Sequence, residues 1–273
     1  MKDVPNFSIV VASYEKPIDV GKLLQSITGQ LKGDKIIVVD DGSSLFTQKV
    51  LKREVGNNGG QNTTLIFEKH GGVSSARNRG IQEAQKDNET SHVILVDQDA
   101  IAKKNWLEEM RKTANTADGV QGNIWEQVVT TDIDRIHRDY RRSVSKALRD
   151  TPGGNYGVNT RNFAVDKRYL SELGDEPFIV NEKAHGGEDS QFGLRLLETG
   201  AKIEVNDEAI VYHTGDPNTL RGLMDQKRGH ARSNGIRGVL PNDVFGRGNY
   251  RRAVAVPVIA APPICNGSLV VIC

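Results

Sequence analysis

Short runs of aliphatic and β-branched residues alternate with helical patterns along the first hundred residues of the chain. Four of these runs predict strands: FSIVVASY, KIIVVDDGS, TTLIFEK and SHVILVDQDA. After Pro17, apolar residues recur at three- and four-residue spacing, which is typical of an amphipathic helix with one buried stripe. The stripe consists of Val20, Leu23, Leu24, Ile27 and Leu31. Strands that alternate with helices in this way predict an α/β fold with a mostly parallel sheet flanked by helices.

The pattern becomes less regular after residue 100. Residues 131–149 predict an amphipathic helix whose second face is rich in arginine. The segment NFAVDKRYL is strand-like, whereas HGGEDSQFGLRLLETG predicts a helix that begins near Glu188 and stops at Gly200. The run AIVYH predicts one more strand, which ends at His213.

The C-terminal region, residues 216–273, predicts a helical and apolar extension. Residues 219–237 combine basic residues with an apolar helical face, which fits a lid over a diphosphate, a contact with an anionic membrane surface, or a solvated basic face. Residues 253–273 are apolar but contain three prolines, which argue against a membrane-spanning helix. Two roles are compatible with the sequence of this tail, namely packing on the main domain and peripheral contact with a membrane.

Composition narrows the class of protein. The 36 lysines and arginines balance 35 aspartates and glutamates, so we expect no nucleic-acid partner that needs a broad basic field. The two cysteines, Cys265 and Cys273, lie in the last nine residues, so the folded body has no disulfide framework. The N-terminal sequence MKDVPNFSIVV is too polar for a signal peptide, and we therefore expect a cytoplasmic protein.

Polar residues follow three of the four predicted strands. Ser13 and Tyr14 end the first strand, Asp40 and Asp41 the second, and Asp97-Gln98-Asp99 the fourth. Ligands bind at the carboxyl ends of strands in open α/β sheets, so these side chains are candidates for one site. Paired carboxylates suit a hard divalent cation, Mn²⁺ or Mg²⁺, although an isolated D-x-D is more often a turn or a solvated loop.

The order of the motifs resembles the nucleotide-binding half of family 2 glycosyltransferases, a large inverting family with the Rossmann-like GT-A fold. The matching segments are S-I-V-V-A-S-Y, V-V-D-D-G-S, G-V-S-S-A-R-N-x-G and L-V-D-Q-D. G-V-N-T-R-N-F-A-V, L-G-D-E-P-F and G-G-E-D-S-Q-F-G-L-R resemble the acceptor half, so the resemblance covers about residues 7–215. It implies a nucleotide-sugar-binding half over residues 1–100 and an acceptor-binding half over residues 101–215.

The resemblance also implies roles for single residues in donor binding. Ala12, Ser13 and Tyr14 would lie beside the nucleoside, with the Tyr14 ring stacked on a pyrimidine base. Asp41 would accept a hydrogen bond from the base, and Asp40 would organise the loop or contact the ribose. The donor-binding set is completed by Arg77, Asn78, Asp97 and Gln98. A capped D-G turn and a surface helix with a paired Arg77 are the plainer alternatives.

For the chemistry, the resemblance implies that Asp99 and Asp97 bind the cation and that Asp189 is the catalytic base. Glu188 would support Asp189 or bind the acceptor, and His213 would complete the coordination of the cation or contact the diphosphate. Without the resemblance, Glu188-Asp189 fits an acidic helix start, and His213 fits a hydrogen-bonded structural histidine.

The expected activity is transfer of a sugar from a UDP- or GDP-linked donor, with inversion, to a glycan, lipid, peptide or small-molecule acceptor. Two alternatives are a non-catalytic nucleotide-sugar-binding scaffold and a nucleotidyltransferase. A nucleotidyltransferase would need a glycine-rich loop directly after the first strand, and residues 12–17 do not form such a loop.

Overall fold

The structure is a computed structural model that describes residues 4–126, 158–180 and 187–214. The strands are β1 (Phe7–Ser13), β2 (Lys35–Asp41), β3 (Thr63–Glu68), β4 (His92–Asp97), β5 (Ala100–Ala102), β6 (Gly119–Glu126), β7 (Asn162–Asp166) and β8 (Ile203–His213). The α-helices are α1 (Pro17–Ile27), α2 (Leu45–Asn58), α3 (Val73–Gln85), α4 (Trp106–Ala114), α5 (Lys167–Glu172) and α6 (Glu188–Glu198), and a 3₁₀ turn (Thr28–Gln30) follows α1.

The strands form one sheet of eight in the order β3-β2-β1-β4-β7-β6-β8-β5. Its first part, from β3 to β4, is parallel, as the alternation of strands and helices predicts. Beyond β4 the sheet is mixed, because β7 is antiparallel to both β4 and β6, β8 is parallel to β6, and β5 is antiparallel to β8. The α/β fold class is confirmed.

Helices cover both faces of the sheet, and the central strand β1 shows why its sequence is apolar throughout. Ile9 and Val11 pack on one face with residues of α1 and α4, including Leu24 and Trp106. Val10, between them, packs on the other face with residues of α3 and α6. A parallel strand that is buried on both faces reads as a continuous apolar run rather than an alternating one.

One boundary predicted from the sequence is wrong. NFAVDKRYL is not strand-like throughout, because β7 ends at Asp166 and α5 begins at Lys167. The side chain of Asp166 accepts a hydrogen bond from the main-chain N–H of Arg168 at 2.9 Å, so Asp166 is the N-cap of this helix. The helix predicted at residues 131–149 and the extension at residues 216–273 lie outside the described residues.

Within the described ranges, no helix is both long and apolar enough to cross a membrane.

Candidate active site

Asp97, Asp99 and His213 meet where β4, β5 and β8 come together. After Asp99 the chain enters β5, which pairs with β8 so that Ala100 lies opposite His213. His213 Nε2 lies 2.9 Å from Asp99 Oδ1 and 3.5 Å from Asp97 Oδ2. One ligand atom from each of the three residues lies within 4.8 Å of the others. Two carboxylates and an imidazole at this spacing form a donor set suitable for Mn²⁺ or Mg²⁺.

The cluster keeps both carboxyl groups ionised although it is largely buried. Burial by itself raises the pKa of Asp99, but hydrogen bonds from His213 and Lys16 outweigh it and hold the pKa well below its ordinary value. The same balance lowers the pKa of Asp97, where His213 and the charge of Arg77 oppose burial. Lys16 Nζ lies 2.9 Å from Asp99 Oδ2. No motif marks Lys16 as a site residue, because only its position after β1 brings it here.

Arg77 joins the aspartate cluster to the start of α6. Its guanidinium is buried, with Nη2 3.1 Å from Asp97 Oδ1 and Nη1 3.2 Å from Glu188 Oε1 and 3.3 Å from Asp189 Oδ1. It also lies over the ring of Phe178 at 5.5 Å. The structure therefore brings together residues from β4, α3 and α6 that are up to 112 positions apart in sequence.

Asp189 lies in the first turn of α6, with 27% of its side chain exposed. Desolvation raises its pKa, the charge of Arg77 opposes this shift, and the neighbouring Glu188 adds to it. Thr160 holds the carboxyl group through its hydroxyl, which donates to Oδ1 at 2.5 Å, and through its main-chain N–H, which donates to Oδ2 at 3.2 Å. Sequence reasoning missed Thr160, since it is a turn residue that no spacing connects to α6.

Glu188 contributes only one oxygen to the hydrogen bonds among the described residues. Its Oε1 accepts from Arg77, whereas its buried Oε2 has no hydrogen-bond partner there. A buried carboxylate oxygen without a partner is costly in a folded protein. It marks a place where a hydrogen-bond donor from outside the protein, such as a hydroxyl group, would gain a favourable hydrogen bond.

The residues predicted to lie beside the nucleoside surround the ends of β1 and β2. Tyr14 is anchored by Gln98, whose Oε1 accepts from the Tyr14 main-chain N–H at 2.9 Å. Asp41 accepts from the main-chain N–H groups of Gly71 and Gly72 at 2.8 and 3.0 Å, so it already ties down the loop before α3.

The other residues predicted to lie beside the nucleoside are Asp40, Ser13 and Ala12. Asp40 Oδ2 accepts from the Ser43 main-chain N–H and from the Gln48 amide, both at 3.1 Å, so Asp40 organises the turn after β2. Ala12 pairs in register with Asp97, which places this end of β1 beside the cation-binding candidates. The buried hydroxyl of Ser13 has no hydrogen-bond partner within the described part of the chain.

The structure does not bring Asn78 to this cluster. Its amide Nδ2 donates to the main-chain oxygen of Phe178 at 2.7 Å, and its Oδ1 accepts from the Phe178 main-chain N–H at 2.9 Å. Both ends of the amide are thus used to hold the segment before α6 against α3. We leave Asn78 out of the donor site proposed below.

Family models and relatives identify the family of the chain. The model of glycosyl transferase family 2 matches residues 8–174, and the model of glycosyl transferase family group 2 matches residues 92–273. The uncharacterized glycosyltransferase YwdF of Bacillus subtilis (strain 168) is 33% identical over 118 residues, which are 42% of this chain and 41% of that protein. EpsJ from the same organism, also an uncharacterized glycosyltransferase, is 24% identical over 230 residues, which are 80% of this chain and 63% of that protein. The chain thus spans about two fifths and three fifths of the lengths of these relatives.

Solved structures share the fold. The mannosyltransferase PcManGT from Pyrobaculum calidifontis, in complex with GDP-Man and Mn²⁺, superposes with a TM-score of 0.62 at 16% identity over 96% of this chain and 77% of that one. S. aureus TarS 1-349, in complex with UDP-GlcNAc, gives 0.58 at 18% identity over 78% of this chain and 60% of that one. The expected GT-A fold is confirmed by these likenesses. The model of glycosyl transferase family 2 covers more than half of this chain, and the chain therefore belongs to glycosyl transferase family 2.

Proposed function

We propose that the protein is an inverting glycosyltransferase that moves a sugar from a nucleotide diphosphate to an acceptor hydroxyl. The observation that carries the proposal is the contact of one buried guanidinium, Arg77, with both Asp97 of the aspartate cluster and Asp189 at the start of α6. A donor-binding group and a proton acceptor must lie side by side for sugar transfer. Nucleotide sugars in the related structures support a UDP- or GDP-linked donor.

Asp97, Asp99 and His213 would hold a divalent cation, Mn²⁺ or Mg²⁺. Their donor atoms fit such an ion in type and in spacing. When bound, the cation supplies positive charge that stabilises the diphosphate leaving group. The Lys16 ammonium, which contacts Asp99, adds a second positive charge at the same place.

Asp189 is the proposed general base. A carboxylate with a raised pKa is a stronger proton acceptor than an ordinary aspartate, and desolvation by burial raises the pKa of Asp189. Asp189 takes the proton of the acceptor hydroxyl while the acceptor oxygen bonds to the anomeric carbon and the bond from that carbon to the diphosphate oxygen breaks. Attack from the side opposite the leaving group inverts the configuration. Thr160 and Arg77 hold Asp189 during this step, and Glu188 Oε2 is available to orient the acceptor.

A screen of sugar nucleotides tests the proposal. UDP- and GDP-linked sugars are incubated with the full chain and with Mn²⁺ or Mg²⁺, and release of the nucleoside diphosphate is measured together with the anomeric configuration of the product. We expect release from at least one donor, an inverted product, and loss of activity in Asp99→Ala. Glu89→Ala, which removes an exposed carboxyl group before the start of β4, at the opposite end of that strand from Asp97, is the matched control and keeps wild-type turnover.

Other outcomes contradict the proposal in distinct ways. Binding of a sugar nucleotide without release by the wild-type chain would support the non-catalytic scaffold. Release of pyrophosphate instead of a nucleoside diphosphate would support a nucleotidyltransferase. Full activity of Asp99→Ala in chelator-treated buffer would refute the cation site.

A further inference from the structure

The ring of His70 stacks on the ring of Tyr14 at the mouth of the proposed donor site. The two ring centroids are 4.7 Å apart and the ring planes meet at 26°. Both side chains are partly open to solvent, with 44% of Tyr14 and 58% of the His70 side chain exposed. His70 belongs to the loop between β3 and α3, which neither strand nor helix periodicity describes.

Several contacts hold His70 in this place. Its Nδ1 lies 2.9 Å from Asp41 Oδ2 and 3.0 Å from the Asp41 main-chain oxygen, and the next two residues donate their main-chain N–H groups to the same carboxylate. Gly42, with a φ of +71°, makes the approach possible, because a Cβ at this position would collide with the main-chain nitrogen of His70. The loop is therefore built to present this ring beside Tyr14.

The contacts with Asp41 also define the chemistry of the ring. Because Nδ1 faces two oxygen acceptors, it carries a proton and donates, and the two flat faces of the imidazole remain for stacking. One face lies on Tyr14. An aromatic ring that is anchored at its edge and exposed on its surface is a suitable platform for a nucleobase, and stacking of this kind accepts any base because each base has a π-face.

We infer that His70 is a nucleobase-binding residue and forms, with Tyr14, a two-ring clamp for the base of the donor. The inference rests on the proposed function, which supplies the nucleotide. A base between two rings needs centroids about 7 Å apart, so the present stack must open. The main chain of Tyr14 is fixed by Gln98, and the His70 ring is held by Asp41, so the opening is a rotation of the exposed Tyr14 side chain. In the absence of a base, the two rings cover each other.

Calorimetry tests this inference. The full chain, in buffer that contains Mn²⁺, is titrated with UDP, with GDP and with inorganic pyrophosphate, which lacks a base. We expect His70→Ala to weaken binding of the preferred nucleoside diphosphate about tenfold and to leave pyrophosphate binding unchanged. His70→Phe keeps a ring for stacking and should recover most of the lost affinity. Lys69→Ala, the exposed neighbour in the same loop, is the control and should bind both probes like the wild type.

The variants distinguish stacking from a purely structural role. If His70 only held the loop through Asp41, His70→Phe would bind as weakly as His70→Ala, and that result would overturn the inference. Equal affinity of His70→Ala and the wild type would overturn it as well and leave the proposed function intact. If the wild-type chain binds neither UDP nor GDP, the proposed donor and this inference both fail.

Discussion

Four carboxyl groups share the candidate site with several basic side chains. Asp97, Asp99, Glu188 and Asp189 face Arg77, Lys16 and His213 within the described part of the chain. The charge of Arg161 also lowers the pKa of Asp97. Because the carboxylates of Asp97 and Asp99 lie side by side, both would attract a divalent cation, which agrees with the donor set at the aspartate cluster.

Asp189→Asn separates catalysis from binding, because it keeps the size of the side chain and removes the charge that accepts a proton. We expect turnover to fall by about 10²- to 10⁴-fold while affinity for the nucleoside diphosphate is kept. The proposed base-binding residues Tyr14 and Asp41 lie on other loops, so the change does not reach them. Product assay and calorimetry on one sample measure both quantities.

Glu188→Gln is the matched control for this variant and should lose much less turnover. Unchanged turnover in Asp189→Asn would move the role of base to Glu188. Loss of binding together with turnover would show that the pair is structural.

Thr160→Val tests whether the Thr160 hydroxyl supports Asp189, the proposed base. The hydrogen bond from the Thr160 hydroxyl lowers the pKa of Asp189, so its removal raises that pKa further. A base with a higher pKa becomes protonated at higher pH, and the acidic limb of the profile of kcat/KM against pH should therefore move to higher pH, with turnover down about tenfold. Thr160→Ser restores the hydroxyl and should restore the limb. An unchanged limb in Thr160→Val would exclude this role for the hydroxyl.

At the scale of elements, α3 carries Arg77 and must lie close against β1. Gly80 allows this approach, because a Cβ at this position would collide with the side chain of Val10. The helix can therefore place its guanidinium over the strand ends while its other residues, such as Ile81, pack into the core.

Gly80→Ala should destabilise the protein by about 1 to 2 kcal/mol, since overpacking at Val10 exceeds the gain in helix propensity. Gly56→Ala in α2 is the matched control. Its new methyl group meets nothing within 4 Å, so we expect stabilisation of about 0.5 to 1 kcal/mol. Denaturant unfolding of both variants checks the pair. Equal shifts in the same direction would contradict the packing argument.

The sequence predicted those elements whose residues interact locally. The four apolar runs are β1 to β4, the stripe after Pro17 is α1, and Gly200, with a φ of +81°, follows the end of α6 as expected. Short or irregular elements were missed: β5 has three residues, and α5 was interpreted as part of a strand because only the cap at Asp166 marks its start.

The site was predictable to the extent that strand ends define it. Asp97, Asp99 and His213 meet as the positions of their strands require, whereas Lys16, Thr160 and His70 lie in loops whose path no apolar pattern predicts. Asn78 differs from its neighbour Arg77 for another reason: consecutive residues of a helix point in different directions, so Arg77 reaches the cluster while Asn78 bonds to Phe178.

At the scale of the whole molecule, the central strand β4 begins with a buried histidine at the end opposite the site. His92 begins β4, its Nδ1 lies 2.8 Å from the Ser91 hydroxyl, and its buried Nε2 has no hydrogen-bond partner within the described residues. Desolvation lowers its pKa below the ordinary 6.5, and the charge of Asp166 only partly opposes this. The folded state therefore favours the neutral ring.

Stability should consequently fall as the pH decreases below about 6.5. In that range the unfolded chain takes up a proton on His92 that the folded protein does not bind until lower pH, so the free energy of unfolding decreases by at most about 1.4 kcal/mol per pH unit. Denaturant unfolding between pH 7.5 and about pH 5 measures the slope. In His92→Gln, residue 92 cannot bind a proton in this range. The free energy of unfolding of this variant should therefore depend less on pH, whatever the absolute stability of the variant. An identical slope in both proteins would assign the effect to other groups.

The ionic bridge made by Arg77 has a consequence for protein engineering. Arg77 and Asp97 come from the first hundred residues, whereas Glu188 and Asp189 come from the second part of the chain. In a chimera that joins the first part of this protein to the second part of a relative, Arg77 would keep Asp97 but its buried Nη1 would lose both carboxylate partners unless the relative supplies acidic residues at the start of α6. The second part of the chain can therefore be exchanged only between family members whose charges match across this junction.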